Sequence, residues 1–242
     1  MEQILGRIHS FDSFGASDGP GIRFIVFMQG CTLKCKYCHN RDTWECNAGQ
    51  TYTVDEVLKK VLRCKPYMEA SENGGITVSG GEPLLQAEFV TKLFKKCHEN
   101  GITTCLDTAG SIPINDKIKD LLKETDTVLL DIKHIDEQKC IDLTGFSNKN
   151  ELNFARYCSD HNIDLWIRQV LVPGYTDNEK DLIKTREFID ELKSVQKVEV
   201  LPYHDLGKNK WIEMGLNYPL EGVKAPTQEE IKRVKEILIK KN

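Results

Sequence analysis

The sequence lacks the features that would indicate a membrane, secretion or nucleic-acid binding. No apolar run approaches the roughly 18 residues that a membrane-spanning helix needs. Residues 1–7 carry neither the basic segment nor the apolar core of a secretory signal. Acidic residues outnumber basic ones, 37 against 33, giving a formal net charge of −4, so the chain is not built to neutralise phosphates. We therefore expect a cytoplasmic protein whose partners include no nucleic acid and no membrane.

The chain also lacks internal repeats, low-complexity tracts and any Pro/Ser-rich linker. Its 242 residues are enough for one α/β barrel with a sizeable core, so a single domain over residues 1–242 is predicted. The nine cysteines do not read as a disulfide framework, because their number is odd and three of them are crowded together. That usage is typical of a reducing compartment.

What the sequence does contain is an alternation of short apolar runs and helix-like stretches. The runs are residues 24–28, 76–78, 102–106, 128–132, 165–172 and 198–201. Near-continuous apolarity is typical of strands that are buried on both faces of a parallel sheet. About six strand–helix alternations predict an α/β fold, with a parallel sheet and outer helices curled into a full or partial barrel. Residues 3–14 alternate imperfectly and predict additional edge strands.

Apolar spacing and capping signals predict the helices. Apolar residues recur with helical periodicity in three segments. They are residues 54, 57, 58, 61 and 62 in the first, 89, 90, 93, 94 and 97 in the second, and 231, 234, 237 and 238 in a final amphipathic helix that follows Pro219 and Pro226. Three pairs match a capping box, in which a Thr hydroxyl and a Glu carboxylate satisfy opposite amides: Thr53 with Glu56, Thr176 with Glu179, and Thr227 with Glu230.

The most informative motif is a triplet of cysteines without a fourth, Cys31, Cys35 and Cys38, at C-x3-C-x2-C spacing. Thiolates select zinc, copper(I) or iron–sulfur clusters. A structural zinc closes with four protein ligands, and the alternative interpretation is a zinc knuckle completed by His39 or Cys46, although neither repeats a familiar zinc spacing. Three cysteines on one loop instead suit three corners of a cubane. The pattern favours a cluster whose open iron can chelate a small molecule and give it an electron.

Chemically useful groups follow nearly every apolar run. In chain order they are the cysteine triplet, Ser79-Gly-Gly-Glu82-Pro83, Asp107-Thr108, Asp131-Ile-Lys133, Arg168 within the fifth run, and His204. Because the carboxyl ends of the strands build the active sites of α/β barrels, these groups predict one active site there.

Each of these groups has a simpler interpretation. The glycine pair lets a ligand approach the backbone and presents amides and a carboxylate, but it also suits an ordinary turn. Asp131 and Lys133 point to one face of their strand, as a ligand contact or as an ion pair with each other. The planar fork of Arg168 suits a carboxylate. His204 alone would not indicate a ligand, and only its position among the other candidate residues supports that role. The six other cysteines are interpreted as packing or incidental thiols.

Taken together, these residues resemble a known family. The triplet with Tyr37 before its last cysteine, followed by Gly-Gly-Glu-Pro, is similar to the radical S-adenosylmethionine superfamily. The resemblance is closer to the activating enzymes of glycyl radical enzymes, on four further motifs: Asp18-Gly-Pro-Gly-Ile-Arg23, Leu-Asp107-Thr108, Leu-Asp131-Ile-Lys133 and Leu-Pro-Tyr-His204-x-x-Gly207-x-x-Lys210-Trp211. Only Cys46 and Cys64 lie between the triplet and the Gly-Gly-Glu turn, so the cysteine-rich insertion of many such activases is missing.

The resemblance implies a partial (β/α)6 barrel and a reaction. Cys31, Cys35 and Cys38 would hold a [4Fe–4S] cluster whose open iron chelates S-adenosylmethionine, and Asp18 would lie near the incoming glycine. Reductive cleavage would give a 5′-deoxyadenosyl radical that takes a hydrogen atom from a glycine. The implied partners are the glycyl-radical loop of pyruvate formate-lyase and, as electron donor, flavodoxin or ferredoxin.

The resemblance also assigns roles to single residues. Those implied to bind the cofactor are Tyr37, Cys38, His39, Gly80, Gly81, Glu82, Asp131, Ile132, Lys133, Arg168 and His204. Asp107, Thr108 and Asp131 are implied as a monovalent-cation site. Residues 1–22 are expected as an N-terminal edge segment, and residues 205–242 as a lid loop, centred on 207–211, and a helix.

Three other functions remain open at this point: a zinc-binding interaction module without catalysis, an activase of another glycyl radical enzyme, and a radical enzyme that acts on a small molecule.

Overall fold

The computed structural model describes residues 4–239; residues 1–3 and 240–242, which belong to the predicted terminal segments, lie outside the described residues. The strands are β1 (Leu5–Gly15), β2 (Arg23–Met28), β3 (Gln50–Thr53), β4 (Gly75–Gly80), β5 (Thr103–Thr108), β6 (Thr127–Asp131), β7 (Asp164–Leu171) and β8 (Val195–Pro202). The α-helices are α1 (Val54–Glu69), α2 (Ala87–Glu99), α3 (Asp116–Lys123), α4 (Glu137–Thr144), α5 (Lys149–Asp160), α6 (Glu179–Glu191), α7 (Lys208–Glu213) and α8 (Gln228–Leu238).

The strands form one mostly parallel sheet in the order β3-β1-β2-β4-β5-β6-β7-β8. Each of the six predicted runs overlaps one of the strands β2 and β4 to β8, with only residues 102, 132 and 172 falling just outside them. The pairs β2–β4, β4–β5 and β7–β8 are parallel. Within the described residues the sheet is open, since its order starts at β3 and ends at β8. The predicted α/β class with a partial barrel and outer helices is therefore confirmed.

The N-terminal strand lies deeper in the sheet than its sequence suggested. The prediction of added strands in residues 3–14 is confirmed by β1, although residue 3 lies outside the described range. β1 is not at the edge, because it pairs antiparallel with β2 on one side and with β3 on the other. The edge strand β3 is short and polar, so it carries no apolar pattern that would predict it.

The chain divides into two compact units, and the prediction of a single domain stays a prediction. The first unit comprises the described residues up to 32, with 43–108 and 112–129; the second comprises 33–42, 109–111 and the described residues from 130 onward. In the first, α2 buries its whole predicted apolar stripe, whereas α1 buries Val54, Val57 and Val61 but leaves Leu58 half-buried and Leu62 exposed. In the second, Leu171 and Val200 pack with Ile231, Val234 and Leu238 of α8, so the predicted final helix is confirmed.

Two of the three predicted capping boxes are present. Thr53 and Thr227 each accept a hydrogen bond from the amide of a glutamate three residues on, and that glutamate bonds back to the cap. The prediction at Thr176 was wrong. Its hydroxyl is hydrogen-bonded to Val170 O and to the amide of Val172, and Asn178 caps α6 instead. The chain thus forms one more turn before the helix begins.

The remaining structural predictions concern cysteines and membranes. Cys97, Cys105, Cys140 and Cys158 are buried, in line with a packing role, whereas Cys46 is exposed. Burial raises the pKa of Cys97 to about 12, which keeps its thiol protonated and unreactive.

Among residues 4–239, no helix combines the length and apolarity that crossing a membrane requires.

Candidate active site

In the first unit, the turn after β4 is joined to the start of the cysteine loop. The amide of Gly81 donates to Met28 O at 2.9 Å, and that of Glu82 donates to Gly30 O at 2.8 Å. A Cβ at Gly81 would lie 2.1 Å from Gly30 O and 3.3 Å from Cys31 Cβ, so only glycine permits this approach. The backbone of the Gly-Gly-Glu turn therefore lies directly beside the first cysteine of the triplet.

The carboxylate of Glu82 holds this turn in position. Its side chain is 1% exposed, and Oε1 accepts from Thr108 Oγ1 at 2.6 Å and from the Leu84 amide at 3.1 Å. The sequence suggested a carboxylate presented to an amino group. The observed contacts show that this carboxylate links the end of β4 to the end of β5. The role of Glu82 as a ligand stays a prediction.

Asp107 is likewise tied to the neighbouring strand. Its Oδ2 accepts from Ser79 Oγ at 2.6 Å. Because β2, β4 and β5 are parallel and in register, with Met28 opposite Gly80, their carboxyl ends share one edge. The predicted site residues of the first unit that meet at this edge are Cys31, Gly80, Gly81, Glu82, Asp107 and Thr108. A cation at Asp107 and Thr108 stays a prediction.

Asp18 lies away from this edge, within a segment held by the buried Arg23. Its carbonyl accepts from Thr77 Oγ1 at 2.6 Å, and Thr77 Oγ1 accepts in turn from Arg23 Nε at 3.1 Å. The Arg23 guanidinium also donates to the carbonyls of Pro20 and Asn73, at 3.2 and 2.9 Å. Burial lowers the pKa of Arg23. This arginine fixes the backbone of the Asp18 motif.

In the second unit, Asp131 forms ion pairs with two cations. Lys133 Nζ lies 2.8 Å from its Oδ2 and Arg168 Nε lies 2.9 Å from its Oδ1, with all three side chains largely buried. Burial opposes ionisation, but Arg168 and Lys133 outweigh it and hold the pKa of Asp131 at about 2. The ion pair that the sequence left open is thus present. Two cations against one carboxylate leave a positive charge, which suits an anionic ligand.

Two further buried groups surround Lys133. Its Nζ lies 5.7 Å from the centre of the Tyr37 ring, and its amide donates to Glu151 Oε1 at 2.9 Å. Burial raises the pKa of Tyr37 and of Glu151 well above their ordinary values. Sequence reasoning missed Glu151. The signal was there, because it shares one stripe of α5 with Phe154, Ala155 and Cys158, where a carboxylate must be buried.

The motif of residues 201–211 contacts the second half of the cysteine loop, at Cys38 and His39. Trp211 Nε1 donates to Cys38 O at 3.1 Å, and a Cβ at Gly207 would meet His39 Cδ2 at 2.7 Å. The His39 ring lies 4.3 Å from that of His204, and its Nε2 is 3.0 Å from His204 O. Residues 207–211, predicted as a loop, instead end a short 3-10 turn and form most of α7. Helical geometry is what brings Gly207 and Trp211 onto the loop together.

The donor chemistry fits an iron–sulfur cluster. Cys35 is buried, and Cys31 and Cys38 are half-buried. The two candidates for a fourth zinc ligand have other contacts: the His39 ring bonds to His204 O, and Cys46 Sγ lies 3.9 Å from Trp44 O. No group of three or more His, Cys, Asp or Glu side chains within residues 4–239 converges on a single ion. A cubane has a different requirement, since each thiolate binds its own iron.

Comparisons with known proteins agree with this site. Residues 17–152 match the family model described as a 4Fe-4S single cluster domain. The chain is 49% identical over 236 residues to pyruvate formate-lyase 1-activating enzyme of Escherichia coli (strain K12), covering 97% of this chain and 96% of that one. It is 52% identical over 235 residues to pyruvate formate-lyase-activating enzyme of Staphylococcus aureus (strain USA300), covering 95% and 93%.

A solved domain of pyruvate-formate lyase-activating enzyme from Bacteroides vulgatus ATCC 8482 superposes with a TM-score of 0.57 at 25% identity, over 68% of this chain and 92% of that one. Two relatives near 50% identity over almost the whole length are enough to fix the family. The chain belongs to the pyruvate formate-lyase activating enzymes, radical S-adenosylmethionine enzymes whose cofactors are a [4Fe–4S] cluster and S-adenosylmethionine.

Proposed function

We propose that this chain installs a glycyl radical on pyruvate formate-lyase under anaerobic conditions. The observation that carries the proposal is the contact between the Gly81–Glu82 backbone and the Gly30–Cys31 segment, through the 2.8 Å bond from the Glu82 amide. A molecule chelated at a cluster on Cys31 must lie against this turn. S-adenosylmethionine has the amino and carboxylate groups that such a position requires.

Cys31, Cys35 and Cys38 would hold three irons of the cluster and leave the fourth for S-adenosylmethionine. When bound and reduced, this pair would supply the hard chemistry, which is the one-electron reductive cleavage of S-adenosylmethionine and the removal of a hydrogen atom from glycine. The protein contributes binding, orientation and exclusion of water.

The remaining predicted residues divide between the two ends of the cofactor. Gly80, Gly81 and Glu82 would meet the methionine amino group. Asp131, Ile132, Lys133 and Arg168 would serve its charged end or its ribose, for which the net positive charge of this group is suited. Tyr37 and His39 flank Cys38 in the loop, and His204, whose ring lies against that of His39 at an interplanar angle of 40°, would contact the nucleoside.

Three further proposals concern the surroundings of the substrate and of the cofactor. Asp18, in the segment that Arg23 fixes, would lie near the incoming glycine. A monovalent cation on Asp107, Thr108 and Asp131 would add positive charge beside the cofactor. Residues 207–211 would act as a lid that shields the radical from solvent.

The named relatives act on pyruvate formate-lyase, so its glycine loop is the proposed substrate. Flavodoxin or ferredoxin is the proposed electron donor. None of the nine cysteines, which all lie within the described residues, forms a disulfide bond, and this suits the reducing cytoplasm as the working compartment.

The proposal is tested by electron paramagnetic resonance. Reduced protein, S-adenosylmethionine and purified pyruvate formate-lyase are mixed without oxygen, and we expect a glycyl doublet to grow with time. Cys35→Ser is the matched control, because it removes one cluster ligand with a minimal change of shape, and it should give no doublet. If the wild-type protein binds iron, consumes S-adenosylmethionine and leaves pyruvate formate-lyase without a radical, the proposed function is wrong.

A further inference from the structure

A buried histidine that the proposed reaction does not use follows Lys133 directly in the chain. His134 is 1% exposed, and its Nδ1 accepts a hydrogen bond from the amide of Asp136 at 3.0 Å. A ring nitrogen that accepts from an N–H carries no proton, so the single proton of the neutral ring is on Nε2. The fold around His134 therefore requires its neutral form, in one defined tautomer.

The other ring nitrogen faces a carboxylate that is already paired. Within residues 4–239, Nε2 of His134 has no hydrogen-bond partner, and Asp181 Oδ2 of α6 lies 3.8 Å away. The same Oδ2 accepts from Lys139 Nζ of α4, so its negative charge is compensated. Burial lowers the pKa of His134 against the opposing charges of Asp181 and Asp136, and Lys139 lowers it further. Cys140, which lies beside the His134 backbone, stays neutral because burial raises its pKa to about 12.

The backbone around this ring is held at three points. The amide of Lys133 donates to Glu151 Oε1 at 2.9 Å, and Asn148 Nδ2 donates to His134 O at 2.9 Å. The His134 ring provides the third contact, with the Asp136 amide. An imidazolium has an N–H on both ring nitrogens and accepts no hydrogen bond, so protonation breaks this third contact. The segment that carries Lys133 is then held less firmly.

The same segment begins the helix that supports the cysteine loop. Asp136 caps α4, and its side chain accepts from the Lys139 amide at 3.0 Å. At the other end of α4, Thr144 O accepts from the amide of Lys34 at 2.7 Å, directly before the cluster ligand Cys35. Because α4 has only eight residues, a displacement of its capped end reaches the cysteine loop as well.

We propose that His134 is a positioning residue for the cofactor site, whose neutral ring holds the segment that carries Lys133 and whose protonation releases it. The inference rests on the proposed function, in which Lys133 serves S-adenosylmethionine. Burial lowers the pKa of His134 below the ordinary 6.5, so the segment stays fixed near neutral pH and is released only on acidification. Affinity for S-adenosylmethionine should fall with it.

Binding as a function of pH is the first test. Kd of the anaerobic holoenzyme for S-adenosylmethionine is measured by equilibrium dialysis from about pH 7.5 to about pH 5.5. His134→Asn is the test variant, because its Oδ1 can accept from the Asp136 amide but does not titrate. As the pH falls, we expect Kd of the wild type to rise about fivefold more than that of His134→Asn. Since His39 and His204 also lie near the proposed cofactor, only the difference between the two proteins at each pH counts. His161→Asn, at an exposed histidine that ends α5, is the control and should follow the wild type.

Lys139→Gln gives a second, independent measurement. The Lys139 side chain is 50% exposed, so its replacement should leave the fold intact. The change leaves the Asp181 carboxylate uncompensated beside the His134 ring, so the pH at which affinity falls should rise by about half a unit. Lys149→Gln, at an exposed lysine of α5, is the matched control. If His134→Asn does not take up iron, the Lys139→Gln profile decides alone. Identical pH profiles in the wild type and the test variants would overturn the proposal.

The outcomes separate this inference from the proposed function. If the wild type does not bind S-adenosylmethionine at any pH, or if Lys133→Ala binds it as the wild type does, the role proposed for the site fails. If the wild type binds it and Lys133→Ala binds it weakly, while the pH profiles of wild type, His134→Asn and Lys139→Gln agree, only the role of His134 is refuted.

Discussion

At the scale of single residues, Lys133 is the side chain whose removal should separate cofactor binding from cluster binding. Lys133→Ala leaves Asp131 paired with Arg168 alone and removes the surplus positive charge. We expect Kd for S-adenosylmethionine, measured by equilibrium dialysis, to rise about tenfold or more, because one partner of a buried charge cluster is lost. Iron content should not change. Lys149→Ala, at an exposed lysine of α5, is the matched control. An unchanged Kd would limit Lys133 to a structural role.

The pH dependence of stability should depend on another single residue, Glu151. Burial raises its folded-state pKa well above the ordinary 4.5, so the folded chain keeps a proton that the unfolded chain releases. The associated stability is complete below pH 4.5 and is lost as the pH rises through the folded-state pKa. Glu151→Gln stays neutral and can still accept from the Lys133 amide.

Chemical denaturation at about pH 5 and about pH 8 tests this sign. The free energy of unfolding of the wild type should fall relative to that of Glu151→Gln as the pH rises. Two parallel profiles would mean that Glu151 is ionised in the folded protein.

At the scale of elements, α7 should control how firmly the cysteine loop holds its metal. Trp211→Phe keeps an aromatic ring but loses the indole N–H that donates to Cys38 O, a bond worth about 1 kcal/mol. We expect faster transfer of iron to a chelator, by several-fold, with little change in overall stability. Trp166→Phe is the control, because it is the same substitution in β7, where the Trp166 ring lies 4.2 Å from Lys197 Nζ. Equal rates of iron release in the two variants would show that α7 does not stabilise the loop.

The elements also show what a sequence can and cannot predict. The parallel strands were predictable because burial on both faces leaves a continuous apolar run, and two helix starts because their capping residues are local. β3 was not, since a short polar edge strand is defined by its pairing with β1. The capping box predicted at Thr176 is absent because its hydroxyl accepts a hydrogen bond from the Val172 amide in a turn. The Thr-x-x-Glu pattern does not encode this contact.

At the scale of the whole molecule, the motifs predicted the family and its cofactors, whereas the contacts of single side chains could not be predicted. The cysteine spacing and the Gly-Gly-Glu turn predicted a [4Fe–4S] cluster, and the family comparison confirmed it. The bond between Glu82 and Thr108 and that between Glu151 and the Lys133 amide join different elements, so no local pattern gives these pairings, although the stripe of α5 indicated that Glu151 is buried.

Isotope transfer distinguishes radical chemistry on a glycine of a partner protein, which we propose, from radical chemistry on a free metabolite. Pyruvate formate-lyase carrying deuterated glycine is incubated with the reduced protein and S-adenosylmethionine without oxygen. The 5′-deoxyadenosine is then analysed by mass spectrometry. We expect one deuterium to be transferred from the partner's glycine into the methyl group of this product. Product that forms without deuterium, or with hydrogen taken from a free metabolite, would contradict it.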